Sequence, residues 1–119
     1  MVAIKYLSIL PFLFSLAAAA DCYDEDRSRS SSGLANWALG TLKWDGKDRR
    51  CTYATGGHVT CKACYRTQGQ PRRFIEAAEN IRGQCLGGGT TYEQGYWEAD
   101  GLRVCFDCAN SGHCNDKDM

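Results

Sequence analysis

Apolar and polar residues alternate with a period of two along Thr91–Asp107. Trp97, Ala99, Leu102, Val104 and Phe106 share one face, and Tyr92, Gln94, Tyr96, Glu98, Arg103, Cys105 and Asp107 share the other. The Asp100-Gly101 pair in the middle suits a tight turn, so the stretch predicts a β-hairpin. A second hairpin is predicted over Cys51–Tyr65 around Gly56-Gly57, which would set Thr55 against His58 and Thr52 against Cys61. Its more apolar face, with Ala54, Val59, Cys61, Ala63 and Tyr65, should meet the core. Cys51, Tyr53, His58, Thr60, Lys62 and Cys64 fall on the opposite face.

Two helical patterns accompany the hairpins. Phe74, Ala77, Ala78, Ile81 and Cys85 recur at helical spacing. Pro71 suits the first helical position and Gly83 the exit, with Cys85 as an anchor just beyond the end. Earlier, Ser32 is placed to cap a helix whose stripe is Leu34, Trp37, Ala38, Thr41 and Leu42. The order αββαββ predicts an α+β fold: a small disulfide-stabilised sandwich with two helices and an antiparallel sheet of two hairpins.

The N-terminal stretch has a different pattern. Lys5 is followed by an apolar run of about eleven residues and then by Ala17–Ala20, the layout of a secretory signal peptide. The run is too short to span a bilayer, which takes about twenty apolar residues. The expected layout is a signal over 1–20, a flexible polar lead-in over 21–31, one disulfide-rich domain over 32–114 and a polar tail over 115–119.

Composition narrows the class further. The 119 residues carry 14 basic and 14 acidic groups, a balance that argues against a nucleic-acid backbone as partner. Eight cysteines in so short a chain, behind a secretory signal, predict disulfides among Cys22, Cys51, Cys61, Cys64, Cys85, Cys105, Cys108 and Cys114. About a hundred pairings are open to them. Cys61-Lys62-Ala63-Cys64 and Cys105-Phe106-Asp107-Cys108 have the spacing of a zinc ribbon, the alternative reading. Residues three apart on a strand point to opposite faces, which favours disulfides, and no metal or other cofactor is expected. Cys51 and Cys61 fall on opposite faces of one hairpin, so a bridge between them is not expected, whereas Cys22, Cys85 and Cys114 lie outside the predicted strands.

Candidate chemistry is sparse. His58 and His113 are the only histidines. A ribonuclease-like site would need His58, Glu98 and Arg103 to meet on the outer sheet face, and a glycosidase would need a carboxylate pair such as Glu98 and Asp107 about 5–10 Å apart. Neither spacing demands catalysis, so the chain is read as a non-enzyme. The stronger feature is an outer face with Tyr53, Tyr92, Tyr96, Glu98, Arg103 and Asp107. Flat rings there would cover the C–H faces of sugars while fixed polar groups orient their hydroxyls.

The signal, the size and the cysteine-rich α+β plan resemble the small secreted cysteine-rich proteins of filamentous fungi. More locally, Glu79-Asn80-Ile81-Arg82-Gly83-Gln84-Cys85, Gly87-Gly88-Gly89-Thr90-Thr91-Tyr92, Trp97 and the Asp100-Gly101 turn resemble a fungal glycan-binding lectin-like group. The layout is also similar to fungal killer-toxin-like folds. No sugar-site residue is carried over, because the lectin-like group's Asp-Pro-Asn segment reads Asp100-Gly101-Leu102 here. The resemblance implies a secreted, extracellular effector or virulence-type protein, with the option of later passage into host cells. It would bind a host protein or a host or cell-wall glycan, as a monomer without a membrane span. A killer-toxin-like or antimicrobial protein and a small secreted hydrolase are the alternatives.

Overall fold

The computed structural model describes residues 19–26, 29–87, 91–108 and 114. The signal expected over 1–20 lies almost wholly outside them, as do His113 and the tail over 115–119.

Five strands form one antiparallel sheet in the order β1-β4-β5-β3-β2. They are β1 (Asp21–Asp26), β2 (Arg49–Gly56), β3 (Val59–Thr67), β4 (Thr91–Ala99) and β5 (Leu102–Asp107). Helix α1 (Arg29–Thr41) packs mainly on β2 and β3, and α2 (Phe74–Cys85) on β4 and β1. Both helices join one core with the inner-face residues Tyr65, Trp97, Val104 and Phe106, so the fold is the expected two-layer α+β sandwich.

The β4–β5 hairpin has the register set by the Asp100-Gly101 turn, with Ala99 opposite Leu102 and Trp97 opposite Val104. Both turn residues take positive φ, 54° and 79°, which an Asp-Gly pair tolerates. In the β2–β3 hairpin the turn sits one residue later than expected, at Gly57-His58. Thr55 therefore faces Thr60 and Thr52 faces Ala63. Gly57 takes the positive φ, 62°, while Gly56 stays in the strand under Leu34, which lies 3.3 Å from where a Cβ would stand. Moving the turn by one residue shifts the register by two, so each side chain keeps its face and Ala54, Cys61, Ala63 and Tyr65 are buried.

Three expectations are corrected. Asp21–Asp26 is not a flexible lead-in but edge strand β1, with Asp21 opposite Tyr96 and Cys22 opposite Gly95. Helix α1 begins at Arg29, so Ser32 is not its cap; the Ser32 hydroxyl instead donates to the Leu86 carbonyl, 3.2 Å away. Its buried stripe is Ser31, Ala35, Ala38, Leu39 and Leu42, and Trp37 is 65% exposed. Small residues face the sheet because they allow close approach, and the large aromatic is left outside. Helix α2 begins at Phe74 rather than Pro71, includes Gly83, and ends on Cys85 itself.

All eight cysteines are paired, as Cys22–Cys85, Cys51–Cys64, Cys61–Cys108 and Cys105–Cys114. The C-x2-C units divide between faces: Cys61 bonds inward and Cys64 outward. Cys22 and Cys85 are not outside the regular elements but tie the edge strand to the end of α2. Four disulfides in so small a fold fit an extracellular, oxidising environment. Among the described residues no helix is long and apolar enough to cross a membrane.

Candidate functional site

The sheet face away from the helices is organised in cross-strand rows, since residues opposite one another on antiparallel strands share a face. One row runs Cys51–Cys64–Cys105–Tyr96–Asp21, and the next Tyr53–Lys62–Asp107–Gln94–Tyr23. A third runs Arg49–Arg66–Arg103–Glu98.

The centre of this face is not open. Cys64 and Cys105 are Cα partners, the Cys105–Cys114 bridge brings Cys114 onto them, and all three are fully buried. Their sulfur atoms lie within 4.8 Å of one another, a spacing that would suit a metal, but each is already bonded in a disulfide and offers no thiolate. Gln94 and Asp107, expected on a solvated face, are 0% and 2% exposed.

The six expected binding residues are therefore not one platform. Tyr53 is exposed on β2, three strands away from Tyr96 on β4, roughly 14 Å at the usual strand spacing. Tyr92 packs partly against the core, beside Asp24, whose positive φ of 58° interrupts the regular β1–β4 pairing. Asp107 is buried. Tyr96, Glu98 and Arg103 do come together. The Arg103 guanidinium carbon lies 4.1 Å from the centroid of the Tyr96 ring, and Arg103 Nη1 is 3.8 Å from Glu98 Oε2. Tyr23 stacks on Tyr96 with centroids 6.1 Å apart and planes at 13°. A diagonal stack, Tyr23–Tyr96–Arg103, thus crosses β1, β4 and β5. The hydrogen bond that the Tyr96 hydroxyl donates to Tyr23, with partial burial added, pushes the Tyr96 phenol above its ordinary value and keeps it neutral.

This geometry changes what the aromatic residues do. Tyr96 has its ring engaged by Tyr23 and Arg103 and serves to hold the guanidinium, rather than offering a bare face to a sugar. Arg103 is held with 14% of its side chain exposed, while Glu98 beside it is 52% exposed. The pair opens into a groove of about 570 Å³ at the end of the sheet, lined also by Arg49, Arg66, Asp48, Gln68 and the apolar Ala99 and Leu102. An immobilised guanidinium–carboxylate pair offers donors and acceptors in fixed positions, the chemistry that recognises vicinal hydroxyls.

The catalytic arrangements are not assembled. His58 sits in the β2–β3 turn, whereas Arg103 is opposite Arg66, seven residues along β3 from Val59 and so roughly 24 Å from that turn. Glu98 and Asp107 are separated by four residues along β5 and one strand, about 14 Å, too far for a glycosidase pair.

Tyr23, Arg49 and Arg66 were missed from sequence. Tyr23 lies in the segment expected to be flexible, and a hairpin bounded by Cys51 and Tyr65 stops two pairs short of Arg49–Arg66, because Cys51 pairs with Cys64. The signal that would have recovered the pair is the basic residue flanking the hairpin on each side.

No protein-family model matches the sequence, and no curated protein matches it. The fold is similar to the crystal structure of the tandem DUF26 ectodomain from the Arabidopsis thaliana cysteine-rich receptor-like protein PDLP5, with a TM-score of 0.54 and 13% sequence identity. The match covers 76% of this chain and 44% of that one, so the chain spans less than half the length of its structural neighbour. At that identity the likeness is one of fold.

Proposed function

We propose that this chain is a secreted, non-enzymatic binding module that acts outside the producing cell as an effector at a host surface, with a host or cell-wall glycan as its ligand. The observation that carries the reading is Arg103, clamped between the Tyr96 ring at 4.1 Å and the Glu98 carboxylate at 3.8 Å on the rim of a groove with both charged and apolar lining. Arginine held on an aromatic ring loses little conformational freedom on binding, so its hydrogen bonds to a ligand are less opposed by entropy. The disulfide framework supports the extracellular part of the reading. So does the similarity of the fold to that of a receptor-like protein's ectodomain.

The test is a glycan array probed with the oxidised protein and with Glu98→Ala and Tyr96→Leu variants. The proposal expects binding to a restricted set of glycans, weakened at least tenfold by each substitution. An array without signal, or binding indifferent to both variants, contradicts it. For the effector role, loss of the gene should reduce colonisation of the host; unchanged colonisation contradicts that part.

A further inference from the structure

The groove that holds Glu98 and Arg103 also has three arginines in one cross-strand row. Arg49 on β2 is the Cα partner of Arg66 on β3, and Arg66 is the partner of Arg103 on β5. All three line the same groove. Side chains directly opposite on antiparallel strands stand about 5 Å apart at Cβ, and like charges so placed weaken a sheet. The row therefore places Arg66 between two residues of like charge, Arg49 and Arg103. Arg66 is exposed, and among the described residues it makes no ion pair. Carboxylates flank the row: Glu98 lies beyond Arg103 on β4 and Asp48 next to Arg49 on the other rim, while Asp100 of the β4–β5 turn also lines the groove but is paired with Arg73 at 2.8 Å.

We propose that this row is an acid-recognising subsite and that the groove takes a glycan bearing one isolated carboxylate, a uronic acid unit between neutral sugars. The inference rests on the glycan reading above and names the ligand class for the same groove. Guanidinium forks match carboxylates in bidentate geometry, and an acid seated at Arg66 offsets both like-charged neighbours at once. The terminal carboxylates fit the rest of such a ligand. Each accepts hydrogen bonds from sugar hydroxyls on either side of the acid, and each repels a polymer charged at every unit. At a strand spacing of about 4.8 Å the row spans roughly two sugar units. The recognised pattern is thus one negative charge flanked by hydroxyls, which excludes a dense polyanion such as a sulfated polysaccharide or a nucleic acid.

The experiment is titration calorimetry on the intact oxidised protein with three probes. They are a xylo-oligosaccharide carrying one glucuronate side group, the methyl ester of the same oligosaccharide, and heparin. Expected are binding of the acid form at least tenfold tighter than the ester, a decline of that advantage with added salt, and weak binding of heparin. Arg66→Gln should remove the preference for the acid. Arg66→Lys should recover only part of it, because a point charge does not replace the fork. Equal binding of acid and ester overturns the inference while the glycan reading stands. No binding of either oligosaccharide overturns the inference, and the glycan reading then stands or falls on the array. Heparin binding tighter than the glucuronate oligosaccharide overturns the single-acid assignment. Melting of the Arg66 variants at or above the wild-type temperature, expected at an exposed position between like charges, ties any loss to the ligand.

Discussion

Gly95 of β4 lies against the sulfur of Cys85: a Cβ on Gly95 would stand 2.8 Å from Cys85 Sγ, 2.9 Å from the Asp21 carbonyl oxygen and 3.0 Å from Phe106. The contact exists because Gly95 is opposite Cys22, whose bond to Cys85 crosses the strand at that point. Backbone on β1 cannot retreat without giving up its pairing with β4. Gly95→Ala should therefore destabilise the fold by about 1–3 kcal/mol, the usual penalty for overpacking. Urea unfolding of the oxidised variant measures this, and a loss near zero would mean that the edge strand yields freely.

The same bridge makes β1 the element most dependent on covalent support. Cys22–Cys85 closes 63 residues and Cys51–Cys64 only 13. On a chain-entropy basis their removal costs about 4 and about 3 kcal/mol respectively. The Cys22→Ser/Cys85→Ser variant should lose protection of β1 amides in hydrogen exchange before the rest of the sheet. The Cys51→Ser/Cys64→Ser variant should keep β1 protected. Equal loss of β1 in both would contradict this division of labour.

These elements also show what could be read from the chain. The β4–β5 hairpin was legible because alternation and an Asp-Gly turn agree there. In the β2–β3 hairpin the turn was misplaced by one residue, yet its buried face was right, because the error moved every pair by two. Strand β1 was not legible: only Cys22 and Tyr23 interrupt its acidic residues, and it is held by β4 and a bridge whose partner the sequence does not name. The phase of α1 was misread at Trp37, since the sheet selects small side chains where a hydrophobic pattern favours large ones. On the outer face the alternation places Tyr96, Glu98 and Arg103 where they lie, while the burial of Asp107 leaves no mark in the pattern.

A pH effect follows from Tyr65 and Asp45. The buried Tyr65 hydroxyl lies 3.0 Å from Asp45 Oδ1 and 2.9 Å from the Lys47 carbonyl. The Lys47 backbone N–H, the Tyr65 hydroxyl and Arg50 all favour the Asp45 carboxylate and hold it below its ordinary value of 3.8. A carboxyl whose folded value is depressed contributes stability above the unfolded value and loses it as pH falls through the folded one. Glu76 adds to the same acid limb, because Arg73 lowers it. Burial raises Tyr65 above 10.0, so its contribution is complete below pH 10.0 and lost as pH rises through the folded value. Denaturant midpoints taken from pH 6 to pH 2 should fall in the wild type and fall less in Asp45→Asn; parallel curves would contradict the assignment. Tyr65→Phe should cost about 1 kcal/mol at neutral pH.

Without ligand, Arg66 should be a liability to the fold. Arg66→Gln relieves two facing like charges and should raise stability by roughly 0.2–1 kcal/mol at low salt, with the gain shrinking as salt is added. Thermal melts in low and high salt check the sign. A destabilised variant would show that Arg66 has a structural role.

The most direct test of the binding face is backbone-amide NMR of the oxidised protein titrated with the glycan that the array selects. Shifts concentrated at Tyr96, Glu98, Arg103 and Arg66 are the predicted result. Shifts gathered instead on the helical side, around Trp37, Trp44 and Ile75, would contradict the account and move the binding surface to the opposite layer.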